Sequence, residues 1–101
     1  MSRGIQRERE LVNRLRAEGW WAMRSPASKG CVDVVAIKAG QRTRFIEVKS
    51  TEAGPFHSFG PHDRAELLAE ANRAGSVAEL CFWPKRCEPQ FLSPADWPNS
   101  K

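Results

Sequence analysis

Several things are scarce in this chain of 101 residues. Cysteine occurs three times, as Cys31, Cys81 and Cys87. An odd number without a CxxC spacing argues against a disulfide framework. Cys81 and Cys87 could join His57 and His62 around a zinc ion, but no pair of them has the short spacing of a zinc knuckle. Cys31 and Cys81 read better as small buried residues in strands. No run approaches the ~18 apolar residues of a membrane span, and MSRGIQRERE has no apolar core of the kind a secretory signal needs. The sequence therefore predicts a soluble, intracellular (cytoplasmic) protein. Internal repeats, low-complexity tracts and linkers are also missing. The length suits one compact domain with one core.

Positive charge, by contrast, is plentiful. Sixteen Lys and Arg against twelve Asp and Glu leave a net charge of +4. A small basic domain favours polyanions, nucleic acid first among them. Nearly all the basic residues precede residue 87, so they belong to the body of the domain. Arg3, Arg7, Arg9, Arg14 and Arg16 crowd the N-terminal segment. They read as a phosphate-binding patch in preference to a merely solvated helix face.

Hydrophobic periodicity places a helix over 4–18, with Ile5, Val12 and Leu15 on one face and Leu11 beside them. Gly19 ends it. Strands follow at 20–25, 32–37 and 42–49, the last two joined by the KAGQ turn. A second helix is expected from Pro61 to Ala74, with Pro61 at its first position, Asp63 in its first turn and Gly75 at its end. Its packing stripe reads as Ala65, Leu68 and Ala71 or Asn72. VAELCFW (77–83) is a fourth strand and PQFL (89–92) a short fifth. Trp20 and Trp21 read as core and interface anchors, and Phe82 and Trp83 as alternating between core and a partner surface. The order αβββαβ, with the extra strand, predicts an α/β domain with a mixed sheet flanked by helices. Its first hairpin should be antiparallel and its helical crossover should make the fourth strand parallel to a neighbour. Residues 1–93 form the domain, and 94–101 are expected to be a loosely held tail.

Charged residues interrupt the segments that should be most buried. Alternation along the third strand puts Phe45, Glu47 and Lys49 on one face. Asp33, near the start of the partner strand, should lie across from the Glu47–Lys49 end of the hairpin. The first helix repeats the anomaly, because Glu8 falls on the stripe of Ile5, Val12 and Leu15 and so points toward the sheet. Taken singly, each has an ordinary reading. Asp33 can cap a turn, Glu47 and Lys49 can pair on an edge strand, and Glu8 can sit at a helix margin. Their coincidence on adjoining elements favours chemistry, since clustered buried carboxylates repel one another and are costly unpaired. Hard carboxylate oxygens suit Mg²⁺ or Mn²⁺, which keep waters and also bind a substrate phosphate. Such an ion activates a water, and a nearby lysine can orient it.

Asp33, a gap of thirteen residues, then Glu47-Val48-Lys49 resembles the motif of the PD-(D/E)XK nuclease superfamily. Alone that pattern is degenerate, and Val32 stands where the motif has proline. The segment GIQRERELVNRLRAEGWWAMRSPASKGCVDVVAIKAGQRTRFIEVKS is similar over a wider span to the archaeal-type Holliday junction resolvases. These share a G-x-x-x-E-R-E-L opening helix, an R-S-x-x-S-K-G loop, a V-D-[VL]-V-A strand and an I-E-V-K strand. FGPHDRAELLAEANRAG continues the likeness more loosely. TEAGPFHSFG is less basic than its counterparts in relatives, and PKRCEPQFLSPADWPNSK does not align.

The resemblance implies a restriction-endonuclease-like fold and a homodimer that nicks two opposed strands of a four-way DNA junction with Mg²⁺ (Mn²⁺ substituting). Asp33, Glu47 and the Val48 carbonyl would hold the metal, Glu8 would complete the site or help a second ion, and Lys49 would be the catalytic lysine. Arg9 and Arg24 would support phosphate contact, and Ser28 would lie in a loop beside the site. Lys29 adds a candidate phosphate contact from the same loop, alongside Arg3 and Arg7. Two other readings remain open: a related nuclease acting on forks, flaps or other branched DNA, and a non-catalytic DNA-binding module.

Overall fold

The computed structural model describes residues 3–25 and 31–98. Helix α1 (Arg3–Ala17) buries Leu11, Val12 and Leu15. It stops because Gly19, at φ 93°, takes a conformation that other residues adopt only with strain. The amide of Trp20 then donates to the Leu15 carbonyl and that of Gly19 to Arg16, which closes the last turn in a Schellman motif. The second helix, α2 (Pro61–Arg73), ends the same way at Gly75, φ 66°, with Ser76 donating to Ala71 and Gly75 to Asn72.

Strands β1 (Trp21–Arg24), β2 (Val34–Ile37), β3 (Arg44–Lys49), β4 (Val77–Phe82) and β5 (Gln90–Leu92) form one sheet in sequence order. All neighbours are antiparallel except β3 and β4, which α2 connects as a parallel crossover. This is the expected mixed sheet flanked by helices.

The sheet divides the core in two. On one side Leu11, Val12 and Leu15 of α1 pack on Ala22, Val34, Ala36, Ile46, Val48, Cys81 and Trp83. On the other, Leu67 and Ala71 of α2 pack with Phe59 on Ala78 and Leu80, with Phe45, Phe56, Leu92 and Trp97 alongside. Helix α2 covers β3 and β4. The β1–β2 part of that face carries Trp21, Met23, Val35 and Ile37, and Trp21 and Ile37 remain 58% and 44% exposed.

Three local expectations are corrected. The buried face of α2 is Arg64, Leu67 and Ala71, while Ala65, Leu68 and Asn72 are exposed. The stripe is turned by one residue because Arg64 is itself buried: its guanidinium donates to the Phe59 carbonyl at 2.7 Å and lies over the Phe56 ring. Cys31 is buried but sits in a bend ahead of β2, not in a strand. Finally, the expected loose tail does not extend to residues 94–97. Pro94–Asp96 form a 3-10 turn boxed by Ser93 and Asp96, after which Trp97 meets Phe59 edge-on at 5.1 Å and donates to the Leu92 carbonyl.

Candidate active site

Asp33 occupies the place where the β2–β3 ladder breaks. Val34 pairs with Ile46 and Val35 with Phe45, yet the Asp33 amide also reaches the Ile46 carbonyl at 2.9 Å, one residue out of that register. Pairing stops there. The Asp33 side chain takes over the ladder's role, and its Oδ2 accepts the Val48 amide at 2.8 Å. Because N–H and C=O of alternate strand residues share an edge, the Val48 carbonyl lies on the same open edge as Asp33.

On the α2 side of the sheet, Glu47 is buried and its Oε2 pairs with Lys49 Nζ at 3.2 Å. Its other oxygen, Oε1, is buried with no hydrogen-bond partner. Burial, reinforced by the Asp33 charge, pushes the Glu47 carboxyl up to about 7 against the pull of Lys49. Burial likewise raises Asp33 to about 6, with Glu8 adding to the rise and the Val48 amide, Lys49 and Arg24 opposing it. Two carboxyls that resist ionisation side by side are an electrostatic arrangement waiting for a cation.

Glu8 approaches from the other side. On α1 it is half-buried, and Arg24 Nε of β1 donates to its Oε1 at 3.0 Å. Among the described residues, no group of three or more metal-ligating side chains is drawn together. The set fits Mg²⁺ nonetheless. That ion normally takes one or two carboxylates and keeps waters and substrate phosphate for the rest. Asp33, Glu47 and the Val48 carbonyl offer hard oxygen donors of that kind, and the orphaned Oε1 of Glu47 lacks any other partner. The described residues likewise do not gather Cys81, Cys87, His57 and His62 around an ion.

The arginines divide into two groups. Arg7 stacks over Trp83 at 4.5 Å and donates to the Pro84 carbonyl at 2.9 Å. Arg14 lies over the same ring at 5.2 Å and bonds Glu88. For Arg7, one of the expected phosphate contacts, an electron-rich indole face and a carbonyl engage the guanidinium and fasten α1 to the chain after β4. Trp83 is correspondingly a core residue. Arg9 is exposed on α1, and Arg24 stands beside Glu8. Ser28, Lys29 and the side chain of Arg3 lie outside the described residues. Asp63 of α2 also raises Glu47 by its charge. Sequence marked it only as a first-turn helix acid, because its approach to Glu47 arises from packing.

Residues 1–100 match the family described as archaeal Holliday junction resolvase (hjc). The chain belongs to that family. Its members are junction-resolving nucleases, and the protein is an enzyme of this class. No curated protein matches it. Solved structures do, among them that of a Holliday junction resolvase from the hyperthermophile Archaeoglobus fulgidus. The two share 26% identity and superpose with a TM-score of 0.73, covering 84% of this chain and 74% of the other. In this chain Asp33, Glu47 and Lys49 stand where the β2–β3 ladder ends.

Proposed function

We propose that this resolvase cuts a four-way junction by paired, symmetric nicks, with Mg²⁺ as cofactor and Mn²⁺ able to replace it. The observation that carries the reading is the buried Oε1 of Glu47, which has no hydrogen-bond partner beside a second carboxylate raised by burial. Asp33, Glu47 and the Val48 carbonyl would hold the ion, and Glu8 would hold or assist a second. When bound, the ion supplies Lewis-acid chemistry and activates the attacking water. Lys49, tethered by Glu47 at 3.2 Å, would orient that water and steady the phosphate. Arg24 and Arg9, with Arg3, Ser28 and Lys29, would contact backbone phosphates, which fixes position without reading sequence. The P–O3′ bond breaks and leaves ligatable ends, as recombination and repair require.

Paired nicks need two sites, and a homodimer supplies them. The apolar β1–β2 face supports this: Trp21, Met23, Val35 and Ile37 carry no charge, so two copies can meet there about a two-fold axis without opposing like charges. Among the described residues no helix is long and apolar enough to cross a membrane. A DNA substrate places the enzyme inside the cell.

One gel tests the reading. An immobile four-way junction, a fork and a linear duplex of matched sequence are incubated with Mg²⁺ or with EDTA. The expected result is paired symmetric nicks in the junction alone, absent with EDTA and absent for Glu47→Ala. Equal cutting of fork or duplex would keep the metal site and sink the junction assignment. Tight binding with no cutting anywhere would reduce it to a binding module.

A further inference from the structure

A cleft of about 320 Å³ runs between α1 and β1, lined by Arg9, Val12, Asn13, Arg16, Met23 and Arg24. β1 is an edge strand, so its outer backbone is open. Three of the lining residues are arginines and none is acidic. Arg9, Asn13 and Arg16 recur at i, i+4 and i+7, on one face of α1, and all three are exposed. From Arg9 to Arg16 the helix advances roughly 10 Å, more than the ~3.4 Å of axial rise between successive phosphates of one DNA strand. Arg16 is positioned by β1 itself, because its Nε donates to the edge carbonyl of Ala22 at 3.1 Å. A guanidinium has five N–H donors, so that bond leaves others available. At the far end Arg24 meets Glu8 and acts on Asp33, so the cleft leads out from the acids.

We infer that this cleft seats the backbone of the DNA strand flanking the scissile phosphate, with Arg16 and Asn13 contacting phosphates beyond the one at the acids. The inference rests on the nuclease reading above and extends its footprint to residues outside the acid cluster. A row of guanidiniums with an amide between them matches phosphodiester oxygens in charge and in bidentate geometry. The open strand edge leaves room for a strand to lie along it.

Junction binding in EDTA, measured across a range of salt, tests the assignment without cutting. Each phosphate contact contributes about 0.9 to the slope of log affinity against log salt. Arg16→Gln should weaken binding several-fold and lower the slope by about one per subunit, and Asn13→Lys should raise the slope by about one. Arg73→Gln, which removes an exposed arginine at the end of α2, should leave the slope unchanged. Should Arg16→Gln fail to fold, as judged by its thermal transition, Asn13→Lys decides alone. Wild-type slopes in both cleft variants would overturn the assignment, as would an equal shift in Arg73→Gln. Cutting by the wild-type protein is scored separately. Its absence would sink the nuclease reading while the slopes still judged the cleft.

Discussion

Lys49 Nζ lies 3.2 Å from one oxygen of Glu47, while the other oxygen of the same carboxylate is buried without a partner. The lysine therefore settles half of the charge problem at the break between β2 and β3. The unsettled half, shared with Asp33, is what the proposed cation would neutralise.

Removing that carboxylate should separate stability from activity. Glu47→Gln is expected to lose junction cutting by more than ~100-fold, since even residues that only orient a metal ligand are worth ~10–100-fold. Metal-free thermal stability should hold or rise, because the substitution relieves repulsion with Asp33. Thermal unfolding in EDTA beside a cutting assay checks both. A large loss of stability would mean that Glu47 mainly supports the fold.

The metal response should depend on pH in a definite direction. Burial raises Asp33 and Glu47 from ordinary values of 3.8 and 4.5 to about 6 and about 7. The folded state thus holds these protons more tightly than the unfolded chain does. Their contribution to stability is complete below about pH 4 and is lost as pH rises through 6 to 7. In EDTA the melting temperature should carry this downward contribution between pH 4.5 and 8, and Glu47→Gln should flatten it. Excess Mg²⁺ should raise the melting temperature more at pH 8 than at pH 5. Equal increments at the two pH values would contradict a cation held by these carboxylates.

The Glu8–Arg24 pair offers a swap experiment. Both side chains are partly exposed, so breaking the pair should cost no more than about 1 kcal/mol of stability. Exchanging the two residues, Glu8→Arg with Arg24→Glu, should recover most of that cost yet leave cutting abolished, because each charge then stands where the other's role is needed. Recovery of cutting would reduce the pair to scaffolding.

The apolar sheet face can be tested with a charge. Trp21→Glu places like charges against each other if two copies meet there. The expected outcome is a monomer by sedimentation, with single nicks replacing paired ones. A dimer that survives the substitution would put the interface elsewhere.

Helix α2 provides a test of packing. Leu67→Ala should destabilise by about 2–5 kcal/mol, the range for deleting a fully buried leucine. Leu68→Ala, one residue along and exposed, should cost under about 1 kcal/mol. Chemical denaturation of both variants checks the orientation of the helix.

The sequence by itself determined the elements and the chemical character of the site. Periods of 3.6 and 2, with Gly19 and Gly75 as stops, are local properties of the chain, and so is the spacing of Asp33, Glu47 and Lys49. Each could be read without knowing what packs on what. Tertiary structure decided which charges are satisfied and by whom. The stripe expected for α2 left Arg64 out, and only the fold brings the Phe59 carbonyl and the Phe56 ring to it. Sequence offered Arg7 as a phosphate contact and carried no sign that Trp83, far along the chain, would lie under its guanidinium. Glu8 and Glu47 both pointed inward by pattern, yet they lie on opposite sides of the sheet, each coupled by charge to Asp33. Those outcomes depend on contacts between segments distant in sequence, and one-dimensional spacing carries no record of them.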